Sequence, residues 1–235
     1  RRGDLWEAQF LYGEVARRML GRLQYIRVQP QAMLDAGCGA GDNLPLLRER
    51  YAEAAYTGLD NCEALLEVAR KRHAPGGLSA WIGKLARRGP ANAFVNADLA
   101  ASGLAPESLE LVWSNLALHW HRKPHAVLAE WRRILKVGGL AMFSCLGPAT
   151  LRELRQALDD AGLRTATPAF VDMHDFGDLL VENGFADPVM DQEILTLTYR
   201  TPEKLLQDVR ALGGNPAEGR RGGLVGRGWR ARLCD

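Results

Sequence analysis

The run Leu34-Asp35-Ala36-Gly37-Cys38-Gly39-Ala40-Gly41 constrains this chain more than any other stretch of its 235 residues. A buried-type strand, Met33 to Ala36, runs directly into Gly37, Gly39 and Gly41. Residues without a Cβ let a backbone turn sharply and approach a ligand closely. Asn43 and Pro45 then suit a helix opening, because proline is tolerated in a first turn where its missing N–H is not needed. Strand, glycine turn and helix N-terminus in that order make a nucleotide-type cradle. The spacing is G-x-G-x-G with an acid two residues before the first glycine, not G-x-G-x-x-G. An upstream carboxylate repels a pyrophosphate and suits an ammonium group, which argues against a dinucleotide-dependent oxidoreductase.

Further strands carry further acids. Tyr56 to Asp60 reads as a second strand ending in a carboxylate, Phe94 to Leu99 as a third ending near Asp98, Leu109 to Ser114 as a fourth and Gly139 to Ser144 as a fifth. Acids at the carboxyl ends of successive parallel strands line the crevice where such sheets bind ligands. Any one of them alone would read as a strand-end turn residue; Asp35, Asp60 and Asp98 in order behind the glycine turn would not. Together they resemble the S-adenosyl-L-methionine (SAM) site of class I methyltransferases. The resemblance implies an α/β fold, a Rossmann-like doubly wound sheet with a helical insertion after strand five. It also implies that Asp35 helps hold the methionine end, Asp60 with Asn61 takes the ribose hydroxyls and Asp98 with Leu99 takes the adenine. Gly37, Gly39 and Gly41 would pass beneath the ligand, and Ser114, Asn115 and Leu116 would floor the site beside the sulfonium. SAM is then the cofactor and S-adenosyl-L-homocysteine the product.

Composition narrows the setting. A net charge of +2 is too small for a dedicated nucleic-acid binder. No apolar run approaches the roughly 18 residues that a spanning helix needs, so no membrane partner is expected. The chain opens abruptly at Arg1-Arg2-Gly3-Asp4, with no signal-type stretch behind it. Cys38, Cys62, Cys145 and Cys234 lie far apart and form no C-x-x-C pair; they read as free thiols in a reducing, cytoplasmic setting. His119-Trp120-His121 reads as a packed turn rather than a metal pair, and no metal site is expected. The basic runs Arg17, Arg18, Arg22; Arg70, Lys71, Arg72; Lys84, Arg87, Arg88; and Arg132, Arg133 are either solvated helix faces or a docking surface for an acidic partner.

The organisation expected is a single domain over 1–235. It comprises an N-terminal helical lid (1–29), a SAM-binding core (30–146), a helical insertion (147–183) and a C-terminal strand with helices (184–235). Within the lid, residues 5–23 form a helix with Leu11, Val15, Met19 and Leu23 on one stripe and Trp6, Phe10 and Tyr12 at its start. Thr150-Leu151-Arg152-Glu153 is a capping-box signature that predicts a helix to Ala161, stopped by Gly162. A second helix is predicted over His174 to Asn183, extended structure over Phe185 to Tyr199, and a helix from Thr201 or Pro202 to near Gly213-Gly214. Nothing in Ala217 to Asp235 reads as a final strand.

Several stretches outside the cofactor core narrow the family: Ser114-Asn115-Leu116-Ala117-Leu118-His119-Trp120, Thr150-Leu151-Arg152-Glu153-Leu154-Arg155, Met173-His174-Asp175-Phe176-Gly177-Asp178, Gly184 to Asp191, and Leu195-Thr196-Leu197-Thr198-Tyr199. With them the chain resembles the malonyl-acyl-carrier-protein O-methyltransferases of early biotin synthesis. A mitochondrial complex I assembly factor resembles it in the same places, so a SAM-binding protein that acts on a partner protein is the alternative. The first resemblance implies methyl transfer to the free carboxylate of a malonyl group on acyl-carrier protein or CoA. A carboxylate is already ionised near neutrality, so no general base is needed and His119, His121 and His174 are not assigned that role. A cation must instead orient the acid: Arg155 first, Arg152 second, with Tyr12 adding a hydroxyl or serving only as a core aromatic.

Overall fold

A computed structural model describes residues 9–74, 92–163 and 170–212. Residues 5–8 of the expected first helix, the run Lys84, Arg87, Arg88, the turn Gly213-Gly214, the stretch 217–235 and Cys234 lie outside them. The chain divides into two compact units. One holds Phe10–Cys145 with Leu179–Asp187; the other, in its described part, holds Gln9, 146–163, 170–178 and 188–212.

The first unit is an α/β sandwich built from α1 (Gln9–Leu23), β1 (Ala32–Ala36), α2 (Leu44–Arg50), β2 (Ala55–Asp60), α3 (Glu63–Arg72), β3 (Asn92–Asn96), β4 (Leu109–Asn115), a 3₁₀ turn (Leu118–Trp120), α4 (Pro124–Ile134) and β5 (Leu135–Ser144). The described sheet has five strands in the order β3-β2-β1-β4-β5, every pairing parallel. Order reverses between β1 and β4, and that switch point is where open α/β sheets bind ligands. Central strands covered on both faces are near-continuous apolar runs. In β4, Leu111, Val112 and Trp113 are wholly buried accordingly. The stripe on α1 buries Met19 and Leu23, which join Leu44 and Leu47 of α2 against Met33, Tyr56, Leu111 and Trp113. On α4, Val127, Leu128, Trp131 and Ile134 are buried.

Several boundaries differ from expectation, three of them with a visible cause. β3 stops at Asn96, not Leu99: Ala97 N makes a last bond to Asp60 O (3.2 Å), then Asp98 Oδ1 accepts from Ala100 N (2.7 Å). That side-chain turn takes the backbone out of the ladder. β5 begins at Leu135 rather than Gly139, because a register irregularity opposite Leu109–Leu111 absorbs Gly138 at φ +78°. The capping box does not form. In the second unit α5 spans Arg152–Asp160, and its N-cap is Leu151 at φ 56°, with no side-chain cap bond. The turn closed by Thr150 N on Gly147 O (2.9 Å) places Thr150 one residue too early to cap.

Other local signals hold. Gly162 ends α5 at φ +64°, with Leu163 N returning to Leu158 O (2.8 Å). α6 (Met173–Glu182) is closed by Gly184 at φ +79°. α7 (Pro202–Ala211) is capped by Thr201, whose hydroxyl accepts from Lys204 N (3.3 Å). The extended segment expected at 185–199 is not a strand. Val189 and Ile194 stand 91% and 78% exposed there, and without a partner strand an extended chain forms no ladder.

Candidate active site

The glycine turn follows β1 and is drawn onto β2 by its own backbone: Gly37 N and Cys38 N both donate to Leu59 O (2.7 and 3.0 Å). Gly37, Gly39 and Gly41 have φ of +80°, +53° and +75°, a region that costs an L-residue about 1–2 kcal/mol. A Cβ on Gly37 would lie 2.3 Å from Ala117 Cβ, so this glycine is required by the segment after β4. Among the described residues a Cβ on Gly39 would meet only Leu65, at 3.9 Å. They leave that space open, which is the room a ligand needs to cross the turn.

Asp60 ends β2, half-buried, with Oδ2 accepting from Gly39 N (2.9 Å) and Oδ1 from Cys62 N (2.8 Å). Each oxygen has a second lone pair for a hydroxyl donor. Asn61 beside it is exposed. Asp98 sits in the turn after β3 with its side chain 50% exposed, and Leu99 is half-buried. Asp60 and Asp98 thus present carboxylates at the carboxyl ends of neighbouring strands.

Asp35 differs. It is fully buried and accepts from Tyr56 Oη (2.8 Å) and Asn43 Nδ2 (3.2 Å to Oδ1). Burial pushes its carboxyl up to about 7, and these bonds offset only part of the rise. The carboxylate therefore braces β1 against β2 and the start of α2. Neither partner was legible beforehand, since Asn43 read only as a helix opener and Tyr56 as strand.

The β4 end is knitted the same way. The buried Ser114 hydroxyl donates to Ala36 O (2.8 Å). Asn115 donates from Nδ2 to Tyr12 O (2.9 Å) and accepts from the Ser144 hydroxyl (3.1 Å). Leu116, buried, holds φ 50° with its N–H on Ser144 Oγ (3.0 Å). A non-glycine residue in that region costs of order 1–3 kcal/mol and is kept only where surrounding bonds enforce it. Tyr12 is therefore tied from α1 to the loop after β4, and its side chain also hydrogen-bonds Trp120. An indole N–H can only donate, so the phenol oxygen accepts. Burial raises the Tyr12 pKa above its usual value.

His119 is lowered to about 4 by burial, which keeps it neutral near pH 7. The Cys38 thiol is driven well up, chiefly by burial and then by Asp35, and burial pushes Cys145 up to about 12. Neither is a nucleophile at neutral pH. His121 contacts Asp98, a link that its place in an apparently spare H-x-H gave no means of seeing. Arg152 and Arg155 lie on α5 in the other unit. Arg152 pairs with Glu153 (3.2 Å) on a surface where both are mostly exposed, and Arg155 donates to Pro148 O (2.5 Å).

A glycine turn at the switch point of a parallel sheet, open above Gly39 and flanked by Asp60 and Asp98, fits SAM and defines a class I SAM-dependent methyltransferase. Residues 34–143 match the family model "Methyltransferase domain". The chain is 47% identical over 221 residues to the malonyl-[acyl-carrier protein] O-methyltransferase of Laribacter hongkongensis, covering 94% of this chain and 73% of that protein. It is 46% identical over 229 residues to the protein of the same name from Gallionella capsiferriformans, covering 96% and 76%. Among solved structures it resembles an arsenic(III) S-adenosylmethionine methyltransferase from Chlamydomonas reinhardtii at 25% identity and a TM-score of 0.50, covering 67% of this chain and 52% of that one. The chain belongs to the malonyl-[acyl-carrier protein] O-methyltransferase family and is a SAM-dependent O-methyltransferase.

Proposed function

We propose that this protein methylates the free carboxylate of a malonyl group carried by acyl-carrier protein, an early step of biotin synthesis in the cytoplasm. What carries the reading is the likeness to enzymes of that name along 94% of the chain, well beyond the cofactor core. SAM, when bound, supplies an electrophilic methyl group on a cationic sulfur. Asp60 holds the ribose hydroxyls, Asp98 the adenine amino group, and the backbone of Gly37, Gly39 and Gly41 runs beneath the cofactor. Ser114, Asn115 and Leu116 form the floor, with the polar side chains of Ser114 and Asn115 spent on the fold. Asp35 acts behind this surface by fixing the turn.

The malonyl carboxylate arrives ionised, so the protein has to orient it and exclude water as the two opposite charges disappear. Orientation of this kind lowers a barrier by roughly 7 kcal/mol or more. Arg155, with Arg152 one helical turn away, is the cation assigned to the acid, since a guanidinium binds a carboxylate in a fixed fork. The Tyr12 hydroxyl is assigned to the same carboxylate.

The test is mass spectrometry of malonyl-acyl-carrier protein after incubation with this protein and SAM. A gain of one methyl, absent with acetyl-carrier protein, is the expected result. SAM binding with no transfer would overturn the assignment and favour a protein that binds SAM while acting on a partner. Arg155→Ala should cripple transfer and leave SAM affinity intact; turnover near that of the parent would remove Arg155 from the carboxylate.

A further inference from the structure

We propose that His121 is a positioning residue for cofactor recognition: it pins the Asp98 carboxylate so that one oxygen is committed to the protein and the other is kept for the adenine amino group. The inference rests on the assignment of Asp98 to adenine. His121 follows the 3₁₀ turn after β4, so it approaches Asp98 from a different element, and its side chain is only 19% exposed.

The hydrogen bonds define the tautomer. Lys123 N lies 3.1 Å from His121 Nδ1. A peptide N–H can only donate, so Nδ1 carries the lone pair and the neutral ring bears its proton on Nε2. Nε2 lies 3.1 Å from Asp98 Oδ1, and Ala100 N donates to the same oxygen at 2.7 Å. Both donors therefore fall on Oδ1. Among the described residues Oδ2 accepts from none.

That asymmetry has a use. The terminal torsion of an aspartate is broad and soft, and a half-exposed carboxylate held by one local turn bond can rock about it. A second donor from the loop after β4 removes that freedom. The oxygen left over is an acceptor of fixed direction. It suits the amino group of adenine and repels the carbonyl oxygen that hypoxanthine carries at the same ring position.

The experiment compares His121→Ala, His121→Gln and Asp98→Asn with the parent. Calorimetry gives the affinity of each for S-adenosylhomocysteine and for its 6-oxo analogue, S-inosylhomocysteine. Steady-state kinetics with malonyl-carrier protein give KM for SAM and kcat. His121→Ala should weaken S-adenosylhomocysteine by about three- to tenfold, narrow its preference over the inosyl ligand, and raise KM for SAM with kcat close to the parent's. His121→Gln, whose amide keeps an N–H near the Nε2 position, should recover most of the preference. Asp98→Asn should abolish it. If Asp98→Asn abolishes the preference while His121→Ala leaves it whole, His121 does not position the acid and the inference fails. An equal loss for both ligands in His121→Ala would mean general damage to the loop, which also overturns it. If Asp98→Asn leaves the preference unchanged, the assignment of Asp98 itself is wrong, and the inference falls with it.

Discussion

At the scale of single residues, Gly37 is the least replaceable position in the cofactor turn. Its φ of +80° and the 2.3 Å approach of a built Cβ to Ala117 act together. A Gly37→Ala variant meets left-handed strain of about 1–2 kcal/mol and overpacking of about 1–3 kcal/mol. We expect a lower melting temperature and lost SAM binding, read by calorimetry and thermal denaturation. Gly39→Ala meets no such clash, so it should keep more of its stability than of its SAM affinity. Asp35 gives a pH signature. Its carboxyl is raised from 3.8 to about 7, so between those values the folded protein holds a proton that the unfolded chain has released. Stability therefore falls as pH rises through that window and levels off above it. Asp35→Asn should melt higher than the parent above about pH 7, with the gap closing towards pH 4. A parent that is the more stable of the two at pH 8 would refute this account of Asp35.

Between elements, α4 is bound to the loop after β3 by Glu130. This residue, 9% exposed, accepts from Ser102 N (3.0 Å) and Ser102 Oγ (2.5 Å) and from Arg133 Nε (2.7 Å). Arg133 in turn donates to Leu104 O (2.8 Å). The Arg133 bond and the Ser102 bonds hold the Glu130 carboxyl down to about 2. Here the sign is opposite to that of Asp35. The folded state releases the proton first, so the contribution is present above about pH 4.5 and lost as pH falls towards 2. Glu130→Gln should be less stable than the parent at neutral pH, with the difference shrinking on acidification; denaturant titrations at several pH values measure it. The clamp also steadies the loop bearing Asp98, so KM for SAM should rise in the same variant.

At the scale of the whole molecule, much of the clustered positive charge among the described residues is paired with a neighbouring acid. Arg17 and Arg18 both pair with Glu14, Arg70 with Glu63, Arg72 with Asp42, Arg133 with Glu130 and Lys136 with Glu110. The exposed pairs among them, those of Glu14 and Glu63, add little stability, and all of these pairings blunt the long-range field that would steer an acidic partner. We therefore expect kcat/KM for malonyl-carrier protein to fall only about two- to fivefold between roughly 0.05 and 0.5 M salt. A flat response would point to a small free thioester as the substrate, and a much steeper one to a docking field stronger than these pairings allow.

Read along the chain alone, the glycine turn, the buried strands and the order of Asp35, Asp60 and Asp98 were enough to define the class, because each is a local pattern of turn chemistry and apolar periodicity. The stops at Gly162 and Gly184 were legible for the same reason. The capping box at Thr150 lost to a competing local turn: Thr150 N bonds Gly147 O, and the N-cap falls on Leu151 instead. The strand expected before Tyr199 failed likewise, since an extended segment needs a partner that its own residues cannot supply. Only the tertiary structure gave Asp35 its partners Tyr56 and Asn43, set Gly37 against Ala117, and brought His121 to Asp98. Those contacts join residues 8 to 80 positions apart. Their partners are chosen by the packing of strands on a twisted sheet, which nothing in the neighbouring sequence encodes.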